Sequence, residues 1–149
     1  MADTQTAPSG AKVPVWFWIV AVLLTLWNAF GVLNYVMAQM MPDMLLAGMN
    51  EAQQAYYLAT PAWATGIWAT AVFAAFFGAA ALFFRAGWAF YLVVLSVVLY
   101  AIQTIYTFVL RDAASVMGFG NVVLTAFIFA VLLAQFWFTY WAGKRGILR

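Results

Sequence analysis

The sequence predicts an all-α membrane protein: an antiparallel, up-down four-helix bundle with N and C termini cytoplasmic. Two observations lead there. Of 149 residues, 68% are hydrophobic and 7% charged, whereas about a quarter are charged in an ordinary soluble domain. The apolar residues gather into four runs, at about residues 13–37, 61–84, 87–110 and 116–141. Each meets the roughly 20 residues needed to cross the hydrocarbon core of a bilayer. One membrane domain over residues 13–141 is therefore expected, between a disordered cytoplasmic tail at 1–12 and a basic cytoplasmic tail at 142–149.

The first twelve residues are rich in Ala, Thr, Ser, Pro and Gly and carry no apolar periodicity, which is the composition of a disordered tail. Span one opens with Pro14, Trp16 and Trp18, aromatics suited to a membrane interface. It is too long for a signal-peptide core, and Met37-Ala38-Gln39-Met40 lacks the small-residue pattern of a cleavage site. It reads as a retained span. Its second half, around Trp27, Asn28 and Asn34, is the most polar stretch inside any span.

The first loop carries an amphipathic segment at about 43–59. Asn50 caps a helix starting at Glu51, and Gln53 sits at the third helical position, where it returns the bond. Leu45, Met49, Ala52 and Tyr56 recur at helical spacing while Asn50, Glu51 and Gln54 face elsewhere, which predicts a short helix lying on the outer leaflet. Thr60 is then expected to cap span two, with Pro61 at its first helical position.

Span two has small residues at Ala62, Gly66, Thr70, Ala74 and Gly78, a row that lets a neighbouring helix approach closely. Helix packing is the role expected of Gly66, Thr70, Ala74 and Gly78. Only Arg85-Ala86-Gly87 divides spans two and three. So short a turn makes them antiparallel neighbours, with Gly87 suited to the left-handed helix-ending conformation. Span three carries a polar stripe at Ser96, Tyr100, Gln103 and Thr107, and a turn at Arg111–Ser115 leads to span four. There Asn121, Thr125, Gln135 and Thr139 follow a similar line, Trp137, Tyr140 and Trp141 mark the second interface, and Gly143 is expected to end the helix.

Charge sets the orientation. With alternating spans, Lys12, Arg85, Lys144, Arg145 and Arg149 share one side, and Arg111 stands on the other with Asp43, Glu51 and Asp112. Lys and Arg are enriched in cytoplasmic loops, so both termini are placed in the cytoplasm. The basic end reads as an anchor beside anionic lipid, and no nucleic-acid partner is expected.

The same inventory removes most chemistry. The chain has no Cys and no His, so disulfides and thiolate or imidazole metal ligands are excluded. No phosphate loop, metal-ligand spacing or nucleophile elbow occurs, and no spacing brings two of the acids together for proton transfer. Arg111 next to Asp112 reads as a weak loop pair. No catalytic residue, metal or cofactor is expected, and the chain does not read as an enzyme. A proton-coupled carrier would lack its carboxylate relay.

What remains is a set of uncharged polar residues in the outer half of the spans: Asn28, Asn34 and Tyr35, then Tyr100, Gln103, Tyr106 and Thr107, then Asn121 and Thr125. Amides and hydroxyls beside aromatic rings suit a neutral, hydroxyl-rich ligand. The same groups also serve to bond one another across helices, and the residues alone leave both readings open. Trp27 and Trp68 lie deep enough to stack on a ligand or to fill space.

Several segments together carry a resemblance: Leu26–Val32, Glu51–Tyr56, Pro61–Gly66, Arg85–Ala89, Gln103–Tyr106 and Gly143–Arg149. Over nearly its whole length the chain resembles an uncharacterised bacterial family of small four-span inner-membrane proteins, whose members often bear the automatic label "sugar transporter". The resemblance implies a multi-pass protein of the bacterial inner membrane and brings no catalytic or binding motif. Members tend to have a second base beside the position of Arg85, where this chain has Ala86. The expected function is passive transport or binding of a small neutral solute, a sugar being the example the label offers. The alternatives are a non-catalytic accessory or assembly subunit of a membrane complex, and lipid or isoprenoid handling. Expected partners are the lipid bilayer and either a homo-oligomer or a larger membrane complex.

Overall fold

The structure, a computed structural model, describes residues 12–149; the expected tail at 1–12 falls outside it but for Lys12. Seven α-helices follow in order: α1 Val15–Met40, α2 Pro42–Leu46, α3 Glu51–Leu58, α4 Ala62–Ala80, α5 Ala89–Ile105, α6 Ala113–Met117 and α7 Phe119–Lys144. A 3-10 turn, Ala81–Phe84, extends α4, and a π-helical turn, Tyr106–Leu110, extends α5. Among the described residues there is no strand. Four helices are long and apolar enough to cross a membrane: Val15–Met40, Ala62–Phe84, Ala89–Leu110 and Phe119–Lys144. They match the expected spans to within a few residues.

The four form a bundle in which α1 packs on α4, α4 on α5 and α5 on α7. Large side chains close the ring between α1 and α7: Phe17 stacks on Phe138 with centroids 5.4 Å apart, and Trp27 meets Phe127 edge-on at 5.6 Å. Chain neighbours run antiparallel. Tyr100 of α5, for example, stacks on Phe129 of α7 while Phe90 lies against Phe136.

Sequence period explains which faces turn inward. On α5 the positions Ala89, Val93, Ser96, Tyr100, Gln103 and Thr107 recur every three or four residues and are all buried or half-buried. Asn121, Thr125, Ile128, Leu132, Gln135, Thr139 and Ala142 do the same on α7. The opposite faces are apolar and open. On α1 they are Val15, Ile19, Leu23, Leu26, Phe30 and Leu33, each more than half exposed. Soluble proteins rarely expose such continuous apolar faces; hydrocarbon is their natural solvent.

Burial is graded along the bundle axis. At the end bearing the α4–α5 turn, Phe17, Ala79, Leu82, Ala89 and Ala142 have essentially no exposure. At the end bearing α2, α3 and α6 the helices part. The chain's last residues complete the closed end: Ile147 and Leu148 are buried against Phe17, Leu82 and Phe138. The Gly87 N–H donates to the Arg149 carbonyl at 2.7 Å, and the Arg149 N–H donates to the Arg85 carbonyl at 2.6 Å.

Several expected terminators are corrected. α7 runs past Gly143 to Lys144 and is ended by Gly146 at φ 67°. The Ile147 N–H donates to Ala142 O and the Gly146 N–H to Gly143 O, each at 3.0 Å, which is the Schellman closure. Gly146→Ala is expected to lower stability by about 1 kcal/mol, because a side chain is strained in that region. Thermal unfolding in detergent measures it. Between α4 and α5 the left-handed residue is Arg85, at φ 54°, rather than Gly87. Gly87 serves close approach instead, since a Cβ there would meet the Arg149 carbonyl oxygen at 3.2 Å. Thr60 caps nothing. Pro61 is the N-cap residue of α4, and the Thr60 hydroxyl faces Arg111.

The small-residue row of α4 is used only in part. Ala74 and Gly78 are buried, but Gly66 and Thr70 are exposed, and a Cβ on Gly66 would meet nothing within 4 Å. The reason is geometric. With 3.6 residues per turn, a row of every fourth residue drifts about 40° per step, so Gly66 points roughly 120° away from Gly78.

Candidate functional site

Where the helices part, two cavities open and meet. The outer one, about 480 Å³, lies under α3 and α6 and reaches Arg111, Gln103 and Asn121. The inner one, about 330 Å³, lies deeper between α1, α4, α5 and α7. Trp68, Tyr100, Leu124 and Ile128 line both, so the two adjoin across a shared wall and together are called the chamber. Each volume is in the range of small-molecule sites, about 300–1,000 Å³.

A polar layer floors the chamber. The Asn28 amide donates to Gln135 Oε1 at 2.8 Å and to Leu24 O at 2.7 Å. Gln135 Nε2 donates to Ala75 O at 2.9 Å, so one side chain ties α1, α4 and α7 together. Nearby, Ser96 Oγ donates to Ala71 O at 2.7 Å and joins α5 to α4. Gln135 and Ser96 are both 1% exposed; below them Phe17, Leu82 and Phe138 belong to one buried apolar cluster.

Every amide and hydroxyl side chain lining the inner cavity already donates a hydrogen bond within the protein. Besides Asn28, Ser96 and Gln135, Asn34 donates to Phe30 O at 2.9 Å and the Tyr100 hydroxyl to Thr125 O at 3.3 Å. The rest of that wall is apolar: Trp27, Phe30, Val72, Leu124, Ile128 and Leu132 among others. The outer cavity differs. Gln103 Oε1 is buried there without a partner, and Asn121 makes no side-chain hydrogen bond among those of the described residues.

The roof is built by α3 and the π turn. The capping box at Asn50 and Gln53 forms as expected, with Gln53 N donating to Asn50 Oδ1 at 2.9 Å and Asn50 N to Gln53 Oε1 at 3.2 Å. The inward face of α3 is the predicted one only in part: Tyr56 turns in and Glu51 out as expected. Ala52 is exposed, while Gln53, Gln54, Tyr56 and Tyr57 turn toward the protein, because their polar groups find acceptors there. Gln54 Nε2 donates to Leu46 O and Met49 O, each at 3.0 Å, and Gln53 Nε2 reaches Val116 O at 3.4 Å. The Tyr56 hydroxyl donates to Thr107 O, inside the π turn, at 3.3 Å. Burial pushes the Tyr56 phenol above its ordinary value against the lowering pull of Arg111, so the group stays a neutral donor at physiological pH.

Arg111 closes the mouth. Its Nη1 donates to Thr60 Oγ1 at 2.7 Å and its Nη2 to Tyr56 O at 2.6 Å, and its guanidinium lies 4.0 Å from the Tyr56 ring centroid. The expected pairing with Asp112 does not form. Asp112 takes a left-handed backbone, φ 48°, and its carboxylate accepts from Ser115 Oγ at 2.7 Å.

Of the nine candidate residues, Tyr100, Gln103, Tyr106, Thr107, Asn121 and Thr125 line the outer cavity, and Asn28, Asn34 and Tyr100 the inner one. Tyr35 lines neither; its ring meets the edges of Trp68 at 5.0 Å and Phe73 at 6.0 Å. Arg111 and Gln135 were absent from the candidate set. Gln135 was legible as the inward continuation of the Asn121–Thr125 line. Arg111 had only the signal of being the sole base on its side. Among the described residues, no cluster of His, Cys, Asp or Glu could hold a metal ion.

No protein-family model, curated protein or solved structure matches this chain. The site must be read on its own chemistry.

Proposed function

We propose that the protein is a multi-pass membrane protein that binds a lipid-like amphiphile, its apolar part in the inner cavity and its polar part in the outer one. The observation that carries this reading is the inner cavity itself, whose amides and hydroxyls already donate within the protein and whose remaining wall is mostly apolar. A hydroxyl-rich guest would lose water there and gain few bonds, at a cost of about 1–3 kcal/mol for each polar group left unmatched. A hydrocarbon chain loses nothing. The closed end, sealed by Phe17, Leu82 and Phe138, favours binding over conduction. Arg85, Lys144, Arg145 and Arg149 gather at that end, which supports a cytoplasmic placement of it; the chamber then opens toward the outside of the bacterial inner membrane.

A second reading, binding or passive transport of a small neutral solute such as a sugar, is favoured by the outer cavity. Gln103 and Asn121 offer free amides there, and the resemblance to the four-span family points the same way.

Native mass spectrometry after mild detergent extraction separates the two. The amphiphile reading expects a co-purified lipid-sized mass, reduced in Gly31→Leu, which projects a side chain into the inner cavity. Sugar uptake by liposomes holding the protein, with no retained lipid, would overturn it in favour of the second.

A further inference from the structure

We infer that Arg111 is the headgroup anchor of this chamber and that the ligand is a single-chain amphiphile with an anionic head, a carboxylate or a phosphate ester. The inference rests on the amphiphile reading above and goes beyond it to the charge of the head.

Arg111 is held ready for such a group. Two hydrogen bonds, to Thr60 Oγ1 and Tyr56 O, and the flanking rings of Tyr56 at 4.0 Å and Tyr106 at 5.9 Å fix the guanidinium. A guanidinium has five N–H donors in a planar fork, so three remain. No Asp or Glu lines either cavity, and the nearest acid in sequence, Asp112, is engaged with Ser115. The chamber therefore has a fixed positive charge at its mouth and no carboxylate in its lining, while Asp112, near enough to act on Tyr56, is held toward Ser115. A half-buried cation gains most from an anion that supplies parallel acceptors, as carboxylates and phosphates do.

Deeper in, Gln103 Oε1 is buried without a partner and would accept from a hydroxyl carried by the ligand below its head. From Arg111 to Ser96 at the floor is roughly 20 Å at 1.5 Å per residue. That depth fits an extended hydrocarbon chain rather than a compact ring.

The test uses the full-length protein in nonionic detergent micelles, with native mass spectrometry as the readout. The probes are hexadecanoate, hexadecyl phosphate, hexadecanol and inorganic phosphate. The two anionic amphiphiles are expected to bind at least about tenfold more tightly than hexadecanol, as a charge-assisted pair supplies, and inorganic phosphate is expected not to be retained. Arg111→Gln should bring the anionic probes to the level of hexadecanol, and Arg111→Lys should keep part of the preference. Circular dichroism checks that the variants fold, and the wild-type comparison of heads needs no variant.

Equal binding of hexadecanol and hexadecanoate, or a folded Arg111→Gln that keeps the preference, overturns the inference. If those probes bind equally and Gly31→Leu weakens both, the charged-head inference fails while the amphiphile reading stands. If no chain-bearing probe binds, both fail. Retention of inorganic phosphate alone would mark a free-anion site and overturn the inference.

Discussion

Replacing Gly78 by leucine is expected to destabilise the bundle by about 1–3 kcal/mol, the usual cost of forcing extra carbons into a packed core. A Cβ at Gly78 would stand 2.8 Å from Val93 Cγ2 and 3.4 Å from both Ala89 O and Val93 N. Two of those three atoms are backbone, and Val93 has no exposure, so relief requires α5 to move away from α4. That separation would also strain the Ser96 to Ala71 bond a turn further along. Gly66→Leu is the matched control. It lies in the same sequence row, yet its Cβ would meet nothing within 4 Å, and its effect should stay within about 0.5 kcal/mol. Unfolding of both variants in detergent, followed by circular dichroism, measures the contrast. Equal effects would mean that the outer half of α4 is also packed, against a second copy or a partner, and would overturn this account of the row.

The second large effect is expected at Gln135. Gln135→Leu removes a bond from Asn28 and a bond to Ala75 O, and leaves an Asn28 N–H without a partner in a dry layer. The expected cost is about 1–2 kcal/mol, the upper part of the range measured for polar contacts between membrane helices. Asn28→Leu should cost less, because it leaves the Gln135–Ala75 bond in place. A double-mutant cycle of the two should return a coupling near 0.6 kcal/mol or above. Additive effects would deny that the two amides act together. Ligand binding supplies a second readout: with the polar floor gone, a hydrocarbon chain should bind no worse, whereas a sugar relying on these amides would be lost.

Much of the fold was legible because long apolar runs obey a simple rule. An apolar run long enough to cross the hydrocarbon must be a helix that satisfies its own backbone, and four such runs with short linkers leave few arrangements. The capping box at Asn50 was legible because its bonds are local in sequence. The misread features were those in which a residue's role depends on something distant. Gly87 was given a local task, and its use is the approach of Arg149. Thr60 was given a cap, and its hydroxyl receives Arg111 from more than fifty residues away. On α3 hydropathy points Tyr56 inward, but Gln54 turns inward as well because carbonyls of the preceding segment wait there.

The candidate site shows the same division. The sequence marked the polar stripes, since three- and four-residue spacing shows which side chains share a face. It could not tell which amides face each other. Asn28 and Gln135 are separated by 107 positions, and only packing turns both into a floor while leaving Gln103 free.

By itself the sequence determined four helices long and apolar enough to cross a membrane, their inward faces and the absence of thiol and imidazole groups, because these follow from composition and helical period. Only the tertiary structure decided that the bundle is shut at one end and open at the other. It also decided that the amides and hydroxyls of the inner cavity donate within the protein and that Arg111 stands at the mouth. Those properties are set by which distant carbonyl or ring each side chain meets, and no local pattern encodes that.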